Sequence, residues 1–138
     1  MNLLELVPTD LDVLKKSAKD ILSRYDSVQG INVPDILRQS IRSHDAVEVL
    51  LDEGVTAIPH IRTIDRPLTE TIALVERLIE KGLKHVLLIT GDAPTYIAKT
   101  YPVTPMMAVR SIKERWPFLK VYCALDPYRA SFLKEIRY

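Results

Sequence analysis

The chain has 138 residues, of which 47% are hydrophobic and 27% charged, and its formal net charge is +1 at pH 7. This length predicts one domain, spanning residues 1–138, with room for a substantial core. The near-zero charge and the scattered Lys and Arg residues argue against a nucleic-acid surface. No stretch approaches the ~20 apolar residues of a membrane span, and the chain opens without a secretory leader pattern. We therefore expect no membrane contact and a cytoplasmic location.

Strand-like apolar runs alternate with helix-like apolar stripes along the chain. The strand-like runs fall at 3–7, 27–33, 55–63, 86–90 and 119–124. Apolar residues at helical spacing occupy 11–22, 46–51, 68–79, 105–116 and 131–138. The predicted helix caps are Thr9 or Asp10 for the first helix, Thr69 for the third, and Thr104, followed by Pro105, for the fourth. This pattern predicts an α/β fold.

The β-α alternation, repeated five times, predicts parallel strands joined by right-handed crossovers. Neither a GxGxxG nor a GxxxxGK[ST] motif is present, which argues against dinucleotide-binding Rossmann and P-loop folds. The predicted fold is a partial (β/α)8 TIM-type barrel of about five βα units, because a whole barrel needs roughly 250 residues. Its open sheet edges favour a homo-oligomer or a partner chain that covers them.

Polar residues stand at the predicted carboxyl end of every strand. They are Glu5, Asn32, Asp35, His60, Arg62, Asp92, Asp126 and Arg129. Because the carboxyl ends of barrel strands build active sites, we expect these side chains to face one mouth. Two structural alternatives stay open: Asp92 only shapes the turn at Gly91, and His60 is a histidine satisfied within the core.

Glu5 interrupts an apolar strand, so we expect its carboxyl group to be buried. A buried carboxyl group that stays protonated is a usable general acid, whereas the structural alternative is a salt bridge to Arg62 or Arg129. No His, Cys or carboxylate pair has metal-ligand spacing, so no metal is predicted. The single cysteine, Cys123, is expected to be a buried and inert thiol in the fifth strand.

Four motifs, in order along the whole chain, resemble one enzyme family. Glu5-Leu6-Val7-Pro8 is similar to the Glu-x-x-Pro start of methylenetetrahydrofolate reductases. Residues 58–62 resemble that family's Pro-His-Leu-Thr strand, and residues 87–94 resemble its Leu-Arg-Gly-Asp-x-Pro motif. Residues 124–129 stand where many members carry Ala-Gly-Tyr-Pro-Glu-x-His. The resemblance implies a (β/α)8 barrel that binds FAD at the carboxyl ends of its strands.

The family reduces 5,10-methylenetetrahydrofolate to 5-methyltetrahydrofolate, with a hydride passing from NAD(P)H to the flavin and then to the folate. Carried over by position, the resemblance implies that Glu5 is the general acid and that Asp92 is the carboxylate near flavin and pterin. It implies FAD contacts at His60, Thr90, Gly91, Asp92, Tyr101 and Arg129. It implies contacts with the folate or a related pterin at Glu5, Asn32 and Asp92.

Several residues depart from the family pattern. Thr90 replaces the arginine of the Leu-Arg-Gly-Asp motif, and Arg129 stands in place of the histidine of the last motif. The Thr-Gln-x-x-Phe motif of the family's sixth strand is absent. Two alternatives follow: a flavin-free, pterin-binding barrel similar to methyltransferases, and a non-catalytic subunit or truncated relative that needs a partner.

Overall fold

The structure is a computed structural model that describes residues 1–92 and 99–124. Its strands are β1 (Leu3–Glu5), β2 (Gly30–Val33), β3 (Ala57–Arg62), β4 (His85–Ile89) and β5 (Lys120–Cys123). Its helices are α1 (Leu11–Arg24), α2 (Ser43–Asp52), α3 (Leu68–Glu80) and α4 (Pro105–Arg115), and a 3-10 turn (Thr63–Asp65) follows β3. The predicted fifth helix, at 131–138, lies outside the described residues.

The five strands form one parallel sheet in the order β1-β2-β3-β4-β5. This confirms the predicted α/β fold with parallel strands. Because the strand order follows the chain without reversal, right-handed crossovers place all the helices on one face of the sheet. A doubly wound sheet would reverse its order part-way and carry helices on both faces. The sheet is therefore arranged as consecutive βα units of a barrel-like fold.

The two faces of the sheet differ because side chains alternate along each strand. The helix-covered face packs against small and branched residues of α1 to α4; it is buried on β2, β3 and β4, whereas Val121 and Cys123 on β5 are only partly buried. Its main strand residues are Ile31, Val33, Ala57, Ile61, Val86 and Leu88. The opposite face carries Asn32, His60, Leu87 and Ile89, which are only half-buried, and Tyr122, which is exposed. This second face would line the interior of a closed barrel.

Two of the predicted helix caps are confirmed. The Asp10 carboxylate accepts a hydrogen bond from the backbone N–H of Val13 at 2.9 Å and so caps α1. The Thr104 hydroxyl accepts from the N–H of Met107 at 3.2 Å, with Pro105 in the first turn of α4. These contacts satisfy N–H groups that have no partner within the helix.

The third predicted cap is wrong. Pro67 occupies the N-cap position of α3, and Thr69 lies inside its first turn, because the helix already begins at Leu68. Four strands are also shorter than predicted: β1 ends at Glu5, β2 begins only at Gly30, and β3 and β5 lose residues at both ends. A Cβ atom on Gly30 would lie 2.9 Å from the carbonyl oxygen of Thr56, the residue just before β3. The close spacing of the backbones therefore requires glycine at this position.

Strands β1 and β5 are the edges of the sheet within the described residues. Leu3, Leu4 and Tyr122 on these strands are exposed. Cys123 is half-buried, not buried as predicted, because β5 has a neighbouring strand on one side only among the residues that the structure describes. No helix in the described part of the chain is long and apolar enough to cross a membrane.

The sheet opens between β2 and β3 at its carboxyl end. The β2–β3 pairing stops where Val33 meets Pro59, and β3 pairs with β4 from His60 onward. Successive N–H groups of a strand point to opposite sides, so the His60 N–H points toward β2 and the N–H that Pro59 lacks would lie on the β4 side. The buried Ser43 hydroxyl bridges the gap: it donates to the Val33 carbonyl at 2.6 Å and accepts from the His60 N–H at 2.9 Å.

We predict that Ser43→Ala lowers the free energy of unfolding by about 1–3 kcal/mol, because it leaves two buried backbone groups without a partner. Chemical denaturation measures this change. Ser40→Ala, at an exposed position, is the matched control and should change the value by less than about 0.5 kcal/mol. Equal effects of the two substitutions would contradict the bridging role of Ser43.

Candidate functional site at the carboxyl ends of the strands

Three predicted site residues form a hydrogen-bonded row across β1, β2 and β3, here called the strand-end row: Glu5, Asn32 and His60. The Asn32 amide nitrogen donates to the Glu5 carboxylate at 3.2 Å, and the Asn32 amide oxygen lies 3.0 Å from His60 Nε2. A carboxylate can only accept, so the amide oxygen must face His60, and His60 Nε2 must carry a proton. The Nδ1 atom of the neutral ring is then an acceptor.

The strand register brings the strand-end row together. Glu5 stands opposite Asn32 in the β1–β2 pair, and His60 lies two residues beyond Ile58, which stands opposite Asn32 in the β2–β3 pair. All three residues therefore share the face without helices. The prediction that strand-end side chains meet at one end of the sheet is thus confirmed for Glu5, Asn32 and His60.

Glu5 is exposed, not buried as expected from the apolar residues around it. It lies on the edge strand β1, so no further strand within the described residues shields its carboxylate. The structural alternative, a salt bridge to Arg62, is not formed among the described residues, because Arg62 pairs with Asp65 instead. Glu5 is accessible to a ligand, and its only hydrogen bond with a described side chain is the one from Asn32.

Burial lowers the pKa of His60 below its ordinary value of 6.5, and the negative charges of Glu5 and Asp35 counteract part of this shift. The neutral ring therefore predominates at neutral pH. It can donate through Nε2 and accept through Nδ1 without carrying charge. This behaviour suits a group that orients a polar ligand.

A second group of side chains, here called the arginine–aspartate cluster, lies beside the row: Asp35, Arg42, Arg62 and Asp65. Arg42 makes a two-pronged contact with Asp35, at 2.8 and 2.5 Å, and reaches Asp65 at 2.6 Å. Arg62, 4% exposed, donates from Nε to both oxygens of Asp65, at 3.2 and 3.1 Å. These contacts join the segments that follow β2 and β3.

Asp35 and Arg42, the central pair of the cluster, keep each other ionised. Burial works to raise the pKa of the Asp35 carboxyl, but its hydrogen bonds and ion pair with Arg42 outweigh this and lower it. The same pairing raises the pKa of Arg42. Sequence reasoning missed Arg42 and Asp65 because they lie in connecting segments and not at strand ends. The only available signal was the number of Asp and Arg residues in these segments.

Gly91 and Asp92 contact the cluster through their backbone. Arg62 Nη2 donates to the Asp92 carbonyl oxygen at 2.5 Å. Gly91 has a φ of +87°, and a Cβ atom there would lie 2.5 Å from Arg62 Cζ, so both conformation and space require glycine. The Asp92 side chain is exposed and is not brought into the strand-end row. The Glu5 and Asp92 carboxylates, which were predicted to face one mouth, are therefore not joined in the strand-end row.

The remaining predicted cofactor residues border the 3-10 turn after β3. The Thr90 carbonyl accepts from the Ile64 N–H at 3.4 Å, and the Tyr101 N–H donates to the Ile64 carbonyl at 2.9 Å. The Lys99 ammonium group lies 5.0 Å from the centre of the Tyr101 ring. Thr90 and Tyr101 thus lie at the same end of the sheet as the row. Arg129 lies outside the described residues.

An apolar patch adjoins the strand-end row on the same face of the sheet. Leu87 stands opposite His60, Ile89 stands opposite Arg62, and Tyr122 stands opposite Leu87. This places a half-open apolar surface next to polar groups with fixed donors and acceptors, as in binding sites for amphipathic ring systems. Within residues 1–92 and 99–124, no group of three or more His, Cys, Asp or Glu residues is placed to hold a metal ion.

Comparison with known proteins adds no relative to this description. No protein-family model matches the sequence, and no curated protein sequence matches it significantly. The functional assignment therefore depends on the site residues and on the sequence motifs that contain them.

We predict that Gly91→Ala destabilises the protein more than Gly54→Ala. Both glycines have positive φ, so each substitution costs about 1–2 kcal/mol in backbone strain. Only at Gly91 would the new Cβ displace Arg62, whereas nothing lies within 4 Å of a Cβ at Gly54. Denaturant titration should show an additional loss of about 1–3 kcal/mol for Gly91→Ala, and equal losses would contradict the close approach of Arg62.

We predict that Glu5→Gln lowers the pKa of His60 further, because the Glu5 charge now stabilises the imidazolium. NMR titration of the ring protons measures this pKa. Glu53→Gln removes a carboxylate that pairs with Lys19 on the helical side of the sheet, and this control should leave the pKa of His60 unchanged.

The lowered pKa of His60 also predicts how stability depends on pH. Since the pKa of His60 in the folded protein lies below 6.5, the contribution of the neutral ring to the free energy of unfolding is present above pH 6.5 and is lost as the pH falls.

Proposed function

We propose that this chain binds FAD at the carboxyl ends of its strands and acts in the reduction of 5,10-methylenetetrahydrofolate to 5-methyltetrahydrofolate, with NAD(P)H or another electron donor. The observation that carries the proposal is the strand-end row. Two of the four motifs that resemble methylenetetrahydrofolate reductases contain Glu5 and His60, and the strand register links these two residues through Asn32. Their side chains provide an acid, an amide and a neutral imidazole in one place.

The residues present fit a flavin. The isoalloxazine ring of a flavin has an apolar edge and a polar edge, and the patch of Leu87, Ile89 and Tyr122 adjoins the polar strand-end row on one face of the sheet. His60 and the backbone at Thr90 and Gly91 would hold the polar edge. When bound, the flavin supplies the hydride chemistry, which no amino-acid side chain can provide.

Glu5 has the role of general acid in this proposal. It would hold a proton at its carboxyl group and deliver it to the folate nitrogen that is released as the methylene bridge opens. Its exposure allows contact with a substrate, and the hydrogen bond from Asn32 fixes one carboxylate oxygen, leaving the other to face the ligand. Asn32 thereby positions Glu5 and also orients His60.

Asp92 is proposed to contact the pterin or the flavin through its exposed carboxylate. The hydrogen bond from Arg62 to the Asp92 carbonyl anchors this residue, while the side chain stays available. In this proposal Asp92 acts as a carboxylate and Glu5 as an acid, a division of roles that active sites with two carboxyl groups use.

The test combines flavin uptake with folate turnover. The purified chain is mixed with FAD, the unbound FAD is removed, and the visible absorption spectrum of the protein is recorded. We expect a stoichiometric bound flavin spectrum and NAD(P)H-dependent reduction of methylenetetrahydrofolate. Glu5→Gln should retain the flavin and lose at least about 100-fold in turnover, because general acid catalysis contributes about 10²–10⁴-fold.

Glu53→Gln is the matched control for this experiment and should leave both flavin binding and turnover unchanged. A chain that takes up no FAD would contradict the flavin site. If that colourless chain still bound folate, the flavin-free pterin-binding alternative would be favoured. Turnover that survives Glu5→Gln would remove the acid role from Glu5 while leaving the flavin site intact.

A further inference from the structure

The free edge of β1 presents backbone groups that an extended strand can bind. The Leu6 N–H donates to the Asn32 carbonyl at 2.9 Å, so it points toward β2. Because successive residues of a strand point their N–H and C=O groups to opposite sides, Leu4 also faces β2, whereas Leu3 and Glu5 face away from it. Among the described residues, no backbone group pairs with the outward N–H and C=O groups of Leu3 and Glu5.

Exposed apolar side chains border the same edge. Leu3 and Leu4 are 39% and 38% exposed, and Val13 on α1 is 60% exposed. Adjacent residues of a helix are about 100° apart. Since Leu14 points into the core and Lys19 pairs with the end of α2, Val13 lies on the flank of α1 that is turned away from α2. The edge therefore offers apolar contacts as well as hydrogen-bonding groups.

The residues of β1 do not block pairing with a further strand. Edge strands of monomeric proteins often carry Lys or Pro, which discourage such pairing. The strand Leu3–Glu5 contains neither. Its one charged side chain, that of Glu5, is turned toward Asn32 of β2 and away from the free edge.

We propose that β1 pairs with β1 of a second copy of this chain, antiparallel and about a two-fold axis that passes through Leu4. In this register Leu3 of each copy stands opposite Glu5 of the other, and their outward groups form four backbone hydrogen bonds. Leu4 of each copy stands opposite Leu4 of the other, with Cα atoms about 4.5 Å apart, on the side of the sheet that carries the helices.

The charge and length of β1 select this axis and this occupant. An axis at Glu5 would place two carboxylates directly opposite each other, which is unfavourable. The axis at Leu4 pairs every outward group of β1 with a group of the same strand in the second copy, so the edge is complementary to itself. The pairing also brings Leu3 of the second copy beside Glu5 on the face without helices. It does not depend on the flavin chemistry proposed above.

The first experiment measures the mass of the full chain by sedimentation equilibrium at about 1–100 μM, the range in which small interfaces associate. We expect a reversible equilibrium between monomer and dimer. Leu4→Lys places two ammonium groups opposite each other at the axis and should raise the Kd of the dimer at least tenfold. Met107→Lys, at an exposed position on α4, is the matched control and should leave the Kd within about twofold.

The second experiment tests the register by cross-linking, in a Cys123→Ser background. Leu4→Cys should form a covalent dimer on mild oxidation, because the two Cα atoms at the axis lie within disulfide range. Leu3→Cys is the control: its two copies would be about 8 Å apart and should not cross-link.

A chain that is monomeric at every concentration, or a dimer whose Kd is unchanged by Leu4→Lys, would overturn the proposal. Cross-linking of Leu3→Cys as readily as Leu4→Cys would also overturn it, since the copies would then meet in another way, such as β1 against β5. If Leu4→Lys fails to fold, the two cysteine variants decide alone.

Discussion

The contact of the Ser43 hydroxyl with both β2 and β3 is the constraint from which the site follows. The last pair of β2 with β3 is Val33 with Pro59, and beyond it the Ser43 hydroxyl stands between the Val33 carbonyl and the His60 N–H and bonds to both. Since Ser43 is the first residue of α2, the same contact fixes the start of this helix against both strands. Next to this contact, on the face of the sheet without helices, the Asn32 amide and the His60 ring lie within hydrogen-bond distance of each other.

The arginine–aspartate cluster holds the segments that leave this opening. Asp35 follows β2 and Asp65 follows β3, and Arg42 joins them. Arg62 extends the contact to the turn after β4, where Gly91 leaves the space it needs. The side chains of this cluster are therefore largely used by one another, which makes them structural. The groups left for a ligand are those of the strand-end row.

The sequence allowed the sheet to be predicted because the signals for it are local. Asp10 and Thr104 cap helices through contacts three residues away, and apolar runs mark every strand. The row at Glu5 was also predictable, since parallel strands end together. The exposure of Glu5 was not, because it depends on which strand lies at an edge. Arg42 and Asp65 were missed for a similar reason: they lie 23 residues apart, and only the fold brings them together.

The central claim is that the register of β1, β2 and β3 fixes Glu5, Asn32 and His60 as one hydrogen-bonded unit. The most direct test is the tautomer of His60, which ¹⁵N NMR of the two ring nitrogens reports at a pH where the ring is neutral. A proton on Nε2 is predicted, because the Asn32 amide must turn its oxygen toward His60 once its nitrogen donates to Glu5. A proton on Nδ1, or an equal mixture of the two tautomers, would contradict the account.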